Sequence, residues 1–424
     1  MITQMHRHIN FIKQSVILIF SAVLLLVSLA LQAKPSKIQF SRELGALTQA
    51  LESVHPNPWR ALPKQAFRDR LTKNPNLLDG YPFSPWFTIS RALNALDGNK
   101  QDTVTGINLL RQSRTWKRLP LTFARFEEGV FIIAAEVPFN AYIGQQVLEI
   151  NGKSAIRLFN QIATNFPRRD LDWIPHYLTI TELLGYYGAR CQNTCQLTLA
   201  TQEQQSMLSL ERTDLIQDQN AQMTAKPINI KDYFSQNNPE QTAVGMMDPQ
   251  SLRWDMSGKM LKSTLIYEEH EATVLRLLNN HRLTNIVLDI RSISQIDRAL
   301  IERFLRLVRA IPEQNPDRTL YVLIDRSTLP LVYELVARLA DMPEVKFIGQ
   351  KPETQLSHFY DAKPLTLGKT QLTISLATRF EKFLTTYPDQ QYIRPLSIEW
   401  SAADYFAGED TLLISVQDLI EINQ

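Results

Sequence analysis

Residues 320–339 constrain the fold more than any other stretch of this protein. Residues 320–324 are an apolar, β-branched run of strand length, and residues 331–339 carry apolar side chains at helical spacing. A short polar turn separates the two runs. A turn of this kind can hold a nucleophile at the carboxyl end of a sheet, beside the amides of a helix N-terminus. The pattern therefore predicts an α/β layer with a candidate chemical site at residues 325–331.

The C-terminal part of the sequence, residues 262–424, alternates between strand-like and helix-like patterns, which favours an α/β core with a mainly parallel sheet. The predicted strands are 263–267, 285–290, 319–324 and 345–348, with edge strands at 371–377 and 412–416. The predicted helices are 269–280, 297–311 and 330–341.

The N-terminal half divides into three segments with different patterns. Residues 34–115 are predicted to be a helical region. Residues 116–212 change to the strand period and carry the hairpin signal Asn151-Gly152, which predicts a small β-rich module. Residues 213–261 begin with a stretch rich in Gln, Asn and Asp, which indicates a linker or surface excursion.

The first 33 residues have the features of an export signal: basic residues, an uncharged apolar run over 15–31, and a small residue at Ala33. Either a cleaved signal peptide or a retained anchor places the rest outside the cytoplasm, in a bacterial periplasm. This segment holds two of the 45 basic residues and none of the 43 acidic ones, so the remainder of the protein is charge-balanced. This balance gives no electrostatic indication of nucleic-acid binding, and only the possible N-terminal anchor would contact a membrane.

Two cysteines, Cys191 and Cys195, are the only ones in the sequence. A metal site would need two more nearby ligands, and no His or Cys follows at suitable spacing. In an oxidising compartment the pair predicts a small disulfide-closed loop, with two free thiols as the alternative. No metal and no cofactor are expected.

Short motifs in a shared order, from residue 93 to residue 410, resemble those of the tail-specific (C-terminal-processing) serine peptidases. The turn Asp-Arg-Ser-Thr-Leu-Pro-Leu at 325–331 resembles the nucleophile turn Asp-Arg-x-Thr-Phe-Ser-Ala of that family. Residues 285–291, 345–349 and 404–410 are similar to the flanking strands and the closing pattern, and residues 143–153 to a PDZ-like hairpin. The resemblance implies a crotonase-like, tail-specific-peptidase core with a parallel sheet, a helical N-terminal region and a PDZ-like module.

The same resemblance implies that the catalytic machinery is degenerate. Pro330 stands where the family has its attacking serine, and proline has neither a hydroxyl nor a backbone N–H. Family members take their base from a histidine, where this sequence has Asn99, or from a lysine, where the nearest alignment gives Gln355. No catalytic residue is therefore expected at the family positions.

The alternative is that other residues close to the family positions carry out the catalysis. Ser327 or Thr328 with His358 would form a hydroxyl–imidazole pair, and Lys351 lies four residues before Gln355. The structural interpretation is that Thr328 caps the following helix, Ser327 satisfies turn amides, and His358 and Lys351 are loop residues.

Two Asp/Arg pairs follow neighbouring strands of the predicted sheet: Asp289 with Arg291, and Asp325 with Arg326. We expect them to form an ion-pair network that holds the two turns, rather than to bind a ligand.

The sequence predicts an exported peptidase-like protein that has lost peptidase activity and acts by binding a polypeptide or a small apolar ligand. A strand added to the PDZ-like module is one way to hold a peptide. The alternative is an active serine-type, tail-specific endopeptidase with relocated catalytic residues.

Overall fold

The computed structural model describes most of the protein between residues 37 and 422. Outside the described residues lie 1–36, 74–82, 98–101, 103, 110–111, 113–115, 167–173, 202–203, 215–243, 257–263, 292, 294–296, 327–331, 352–354, 356, 369, 383–392 and 423–424.

The described part begins with helices, as the sequence predicts. They are α1 (Lys37–Val54), α2 (Lys64–Thr72) and α3 (Ser84–Asn94), followed by a 3₁₀ turn at Ala95–Asp97. The apolar stripe Trp86, Ile89, Leu93 and Leu96, predicted from helical spacing, is buried.

A mostly antiparallel unit follows. Its elements are β1 (Lys117–Arg118), β2 (Leu121–Phe126), β3 (Gly129–Ala135), β4 (Gln146–Ile150), β5 (Lys153–Ser154), α4 (Ala155–Ala163), α5 (Ile174–Tyr177), α6 (Thr181–Tyr186), β6 (Thr194–Ala200), β7 (Gln205–Glu211) and β8 (Thr213–Asp214). Five of the strands form one antiparallel sheet in the order β2-β3-β4-β6-β7, with β5 paired to β4. The predicted turn joins β4 to β5, with φ of 47° at Asn151 and 70° at Gly152, as a type I′ hairpin requires.

The last part of the protein alternates between strands and helices. Its elements are β9 (Val244–Asp248), β10 (Ser251–Asp255), α7 (Thr264–Leu278), β11 (Asn285–Asp289), α8 (Arg298–Gln314), β12 (Thr319–Ile324), α9 (Tyr333–Ala340), β13 (Val345–Gly349), β14 (Ser357–Thr366), β15 (Thr373–Lys382), β16 (Leu396–Ser397), α10 (Ala402–Ala407) and α11 (Thr411–Ile422).

Six of these strands form the core sheet, in the order β16-β13-β12-β11-β10-β9. All neighbours pair in parallel except β9, which runs antiparallel to β10. Apolar side chains of α7, α8 and α9 cover one face of the sheet, and those of α11 cover the other. The core sheet is therefore the middle layer of an α/β/α arrangement, as the mixed α/β prediction requires.

Strands β14 and β15 form a long hairpin that leaves the core sheet and packs with the N-terminal helices. Its residues Ile374 and Leu376 belong to the same hydrophobic cluster as Leu47 and Phe87 of α1 and α3. The sequence predicts residues 371–377 as an edge strand of the core sheet. A strand is present there, but it belongs to the separate β14–β15 sheet.

Two predicted strands are helical in the structure. Residues 264–267 begin α7, where Leu265 is 79% exposed and Tyr267 is buried, so the apolar run does not mark a buried strand. Residues 412–416 lie in α11, where Leu412, Val416 and Ile420 recur every four residues and are buried. Conversely, β9 and β10 come from the segment 213–261, predicted to be a linker, and they extend the core sheet.

The end of β13 requires a glycine. Gly349 has a φ of +120°, and a Cβ at this position would lie 2.1 Å from the carbonyl oxygen of Ile324 and 2.4 Å from a methyl of Leu412. Any larger residue here would separate β13 from β12, so the glycine allows the two turns at the sheet edge to approach each other.

Cys191 and Cys195 are joined as a disulfide, with their Cα atoms 4.8 Å apart. Within the described part of the protein, no helix combines the length and apolarity needed to cross a bilayer.

Candidate functional site

The carboxyl ends of three parallel strands meet at one edge of the core sheet. Asp289 of β11 pairs with Leu323 of β12, and Ile324 of β12 pairs with Gly349 of β13. A polar residue or pair follows each strand: Arg291, then Asp325 and Arg326, then Gln350. In open parallel sheets, ligands and chemistry occupy this edge. The strand and the helix predicted within residues 320–339 are both present, as β12 and α9.

Arg291 is the centre of a buried ion-pair network at this edge. Its guanidinium donates to both carboxylate oxygens of Asp289, at 2.8 and 2.7 Å, and to both of Asp410, at 3.1 and 2.8 Å. The side chains of Arg291 and Asp289 are fully buried, and Arg291 also lies 5.5 Å from the ring centre of Trp400. Burial opposes the charge, but the two carboxylates outweigh it and raise the pKa of Arg291. The predicted Asp289–Arg291 pair is therefore present and joins the sheet to the start of α11.

Arg326 does not join that network. Its guanidinium donates to both oxygens of Glu399, at 2.7 Å each, and the amide of Gln350 donates to the same carboxylate at 2.9 Å. Arg326 therefore pairs with Glu399, on the segment before α10, and not with Asp289 as the expected network would have it.

The turn itself is only partly described. Asp325 is buried and Arg326 is partly exposed, and helix α9 begins at Tyr333. Ser327, Thr328 and Pro330 lie outside the described residues, as does Asn99. The degenerate serine position and the displaced hydroxyl candidates therefore stay predictions.

The remaining candidates lie at the start of the β14–β15 hairpin. Gln355 and His358 are both buried, and the Nδ1 of His358 lies 3.2 Å from the backbone oxygen of Gln355. Lys351 is exposed. The structure therefore brings Gln355 and His358 together, and places His358 in the interior rather than on a loop.

A buried His–Asp pair was not predicted. The Nε2 of His55 lies 2.9 Å from Asp102, the backbone N–H of Asn57 donates to Nδ1 at 3.1 Å, and the ring of Phe359 packs 4.5 Å away. Because Nδ1 accepts, Nε2 carries the proton and donates to the carboxylate. Asp102 also accepts from the amides of Val104 and Thr105, so the pair fixes the segment after α3. Nothing in the sequence links two residues that are 47 positions apart.

A further arginine, in the antiparallel unit, is partly buried. Arg125, on β2, lies with its guanidinium carbon 5.6 Å from the ring centre of Phe159. Burial, and then the charge of Arg326, lower the pKa of Arg125, and Glu399 opposes the shift. On β2, Ala124 and Phe126 pack with Trp400 and Tyr405, whereas Arg125 lies over Phe159.

A cavity of about 400 Å³ lies at the open edge of the core sheet, beside β13 and β16. Its lining is mainly apolar, with two basic side chains: Ala340, Val345, Lys346, Phe347, Ile348, Ile393, Arg394, Leu396 and Leu419. Among the described residues, no group of three His, Cys, Asp or Glu side chains is arranged to hold a metal ion.

Comparison with solved structures shows what this fold resembles. Mature CPAF complexed with lactacystin matches with a TM-score of 0.55 and 9% sequence identity, over 90% of this protein and 98% of that one. A second structure of mature CPAF matches with a TM-score of 0.51 and 10% identity, over 90% and 97% of the two proteins. The photosystem II D1 C-terminal processing protease matches with a TM-score of 0.35 and 11% identity, over 85% and 92%.

No family model and no curated protein matches this sequence. The likeness at these identities is one of fold. It extends over nearly the whole protein and confirms the mixed α/β fold expected from the sequence. The protein thus has the fold of CPAF, and the sequence resemblance to tail-specific peptidases holds at the level of the fold.

Proposed function

We propose that this is an exported, peptidase-like protein that binds a polypeptide and does not cleave it. One observation carries the proposal: strand β12 and helix α9 flank residues 325–331 in a peptidase-like fold, and the sequence has Pro330 where the resemblance puts the attacking serine. A proline supplies no hydroxyl to attack a carbonyl and no amide to an oxyanion hole.

The positions that would supply a base support the same conclusion. Glutamine at 355 and asparagine at 99 carry amides, which do not accept a proton at neutral pH. His358, the displaced candidate, directs Nδ1 at the carbonyl of Gln355 and is only 1% exposed. A base that is buried in this way is poorly placed to take a proton from an incoming nucleophile.

Polypeptide binding would use the antiparallel unit, which we propose to be PDZ-like. Strand β7 is an edge strand of its sheet, and its side chains alternate between buried and exposed, with Met207 66% exposed. An exposed edge strand offers backbone groups to an extended peptide. Binding of a small apolar ligand in the cavity beside β13 is a second form of the same proposal, supported by the apolar lining.

Loss of activity is tested with a fluorophosphonate probe, which labels activated serine and threonine hydroxyls. We expect no labelling of the purified protein after prolonged incubation, under conditions that fully label an active serine peptidase. Labelling that disappears in Ser327→Ala or Thr328→Ala would show that the chemistry has moved within the turn, and the proposal of lost activity would be abandoned.

A further inference from the structure

The cavity at the open edge of the core sheet lies where strand β16 ends early. β16 pairs with β13 only at Ile348 and Gly349. The residue before β16 is Pro395, which has no backbone N–H with which to continue the ladder. Among the described residues, no strand pairs with the first half of β13 on this side. The cavity of about 400 Å³ beside it falls within the range of small-molecule sites.

The lining of the cavity changes from apolar at depth to basic at the surface. Ile348 and Ile393 are buried, with 1% and 5% of their surface exposed. Lys346 and Arg394 are exposed, so they form the rim. The nine lining residues include these two bases and no acid. A ligand that matches this lining has an apolar part and carries no positive charge.

The two basic side chains are placed to receive an anion. Neither Lys346 nor Arg394 makes an ion pair within the part of the protein that the structure describes. The Nζ of Lys346 lies 5.7 Å from the ring centre of Tyr321 on the neighbouring strand, so the ammonium leans back over the sheet. Because both bases border one cavity, a single anionic group at the rim would attract both of them.

We propose that this cavity binds an amphipathic anion with a single alkyl chain. The alkyl chain would lie against Ile348, Ile393 and Leu419, and the anionic head would lie at the rim with Lys346 and Arg394. A free fatty acid carries a carboxylate head and a single-chain phospholipid carries a phosphate, so both sources share this chemistry. The proposal rests on the small-ligand form of the proposed function and names the class of ligand.

The test of the head group compares ligands that share one alkyl chain. Isothermal titration calorimetry measures the Kd of the full-length protein for decanoate, decyl phosphate, decanol and decyltrimethylammonium. The double variant Lys346→Gln/Arg394→Gln removes the rim charges. The control Lys363→Gln/Arg276→Gln removes the same charge from two exposed residues that do not line the cavity.

We expect at least one of the two anions to bind about 3- to 25-fold more tightly than decanol, as two exposed ion pairs would give. The rim variant should lower that affinity to the value for decanol, and the control should keep the preference. Decyltrimethylammonium should bind more weakly than decanol. The anion that binds more tightly identifies the source of the head group.

The apolar part of the site is tested by length and by volume. Octanoate should bind about 10- to 15-fold more weakly than decanoate, because it buries two methylene groups fewer. Ala340→Phe should fill the cavity and abolish binding of every ligand, whereas Ala272→Phe, at an exposed position of α7 outside the lining, should not. If thermal unfolding shows that Ala340→Phe is not folded, Leu396→Trp takes its place, since Leu396 lines the cavity and is 52% exposed.

Equal affinity for decanol and both anions, or a preference that survives in the rim variant, would overturn the inference while leaving small-ligand binding intact. Binding that persists in the filled variant would place the ligand outside the cavity and would also refute it. If none of the ligands binds, the small-ligand form of the proposed function fails together with the inference. Polypeptide binding by the antiparallel unit is measured separately and does not depend on these results.

Discussion

Single residues at the sheet edge hold neighbouring segments together. Arg291 is buried with two carboxylates, and Gly349 occupies a backbone position that a larger residue would disrupt. Neither residue needs a catalytic role to account for its position. Arg125 differs from both, because its Nε is buried and has no hydrogen-bond partner among the described residues.

At this scale we predict that Arg291→Met destabilises the protein by about 3–5 kcal/mol. Asp410 would lose its guanidinium partner, and the buried Asp289 would keep only the longer contact with Arg253 at 3.4 Å. The control is Arg379→Met, since Arg379 is 65% exposed and pairs with Asp361 at 3.5 Å. An exposed pair of this kind contributes at most about 1 kcal/mol. Urea unfolding measures the free energy of unfolding of both variants. Equal losses of stability would show that the buried network contributes no more than the exposed pair.

At the scale of elements, the sequence predicted those strands whose apolar content reflects burial. Residues 319–324 are mainly apolar and almost wholly buried, and the predicted strand has the same bounds as the observed one. Residues 264–267 are equally apolar, yet Leu265 and Ile266 are exposed on a helix, and no local pattern distinguishes the two cases. The pairing of Arg326 with Glu399, 73 residues away, also depends on tertiary structure and left no signal in the sequence.

Helix α8 offers a test at this scale. Asp297 caps it by accepting the N–H of Ala299 at 2.8 Å. Asp297→Ala should destabilise the protein by about 1 kcal/mol, whereas Asp297→Ser should stay within a few tenths of a kcal/mol of the original, because serine keeps an accepting oxygen. Thermal or urea unfolding measures both. Equal stability of the alanine and serine variants would show that the cap has no effect.

At the scale of the whole molecule, we propose that a peptidase-like fold has kept its architecture while its sequence places Pro330 where the resemblance puts a serine. The antiparallel unit contacts the core through Phe126, Tyr405 and Trp400, among others, so the two parts share a hydrophobic cluster. A polypeptide that binds to the antiparallel unit, as we propose, would be bound without being cleaved. The fold would then act as a receptor for polypeptide rather than as a peptidase.

The most direct test of this account follows one internally quenched, fluorescent, unstructured polypeptide with the full-length protein. Anisotropy reports binding and loss of quenching reports cleavage in the same sample. The account predicts a rise in anisotropy that saturates with protein concentration, with no loss of quenching over a day. Loss of quenching that is removed by Ser327→Ala or Thr328→Ala would contradict it.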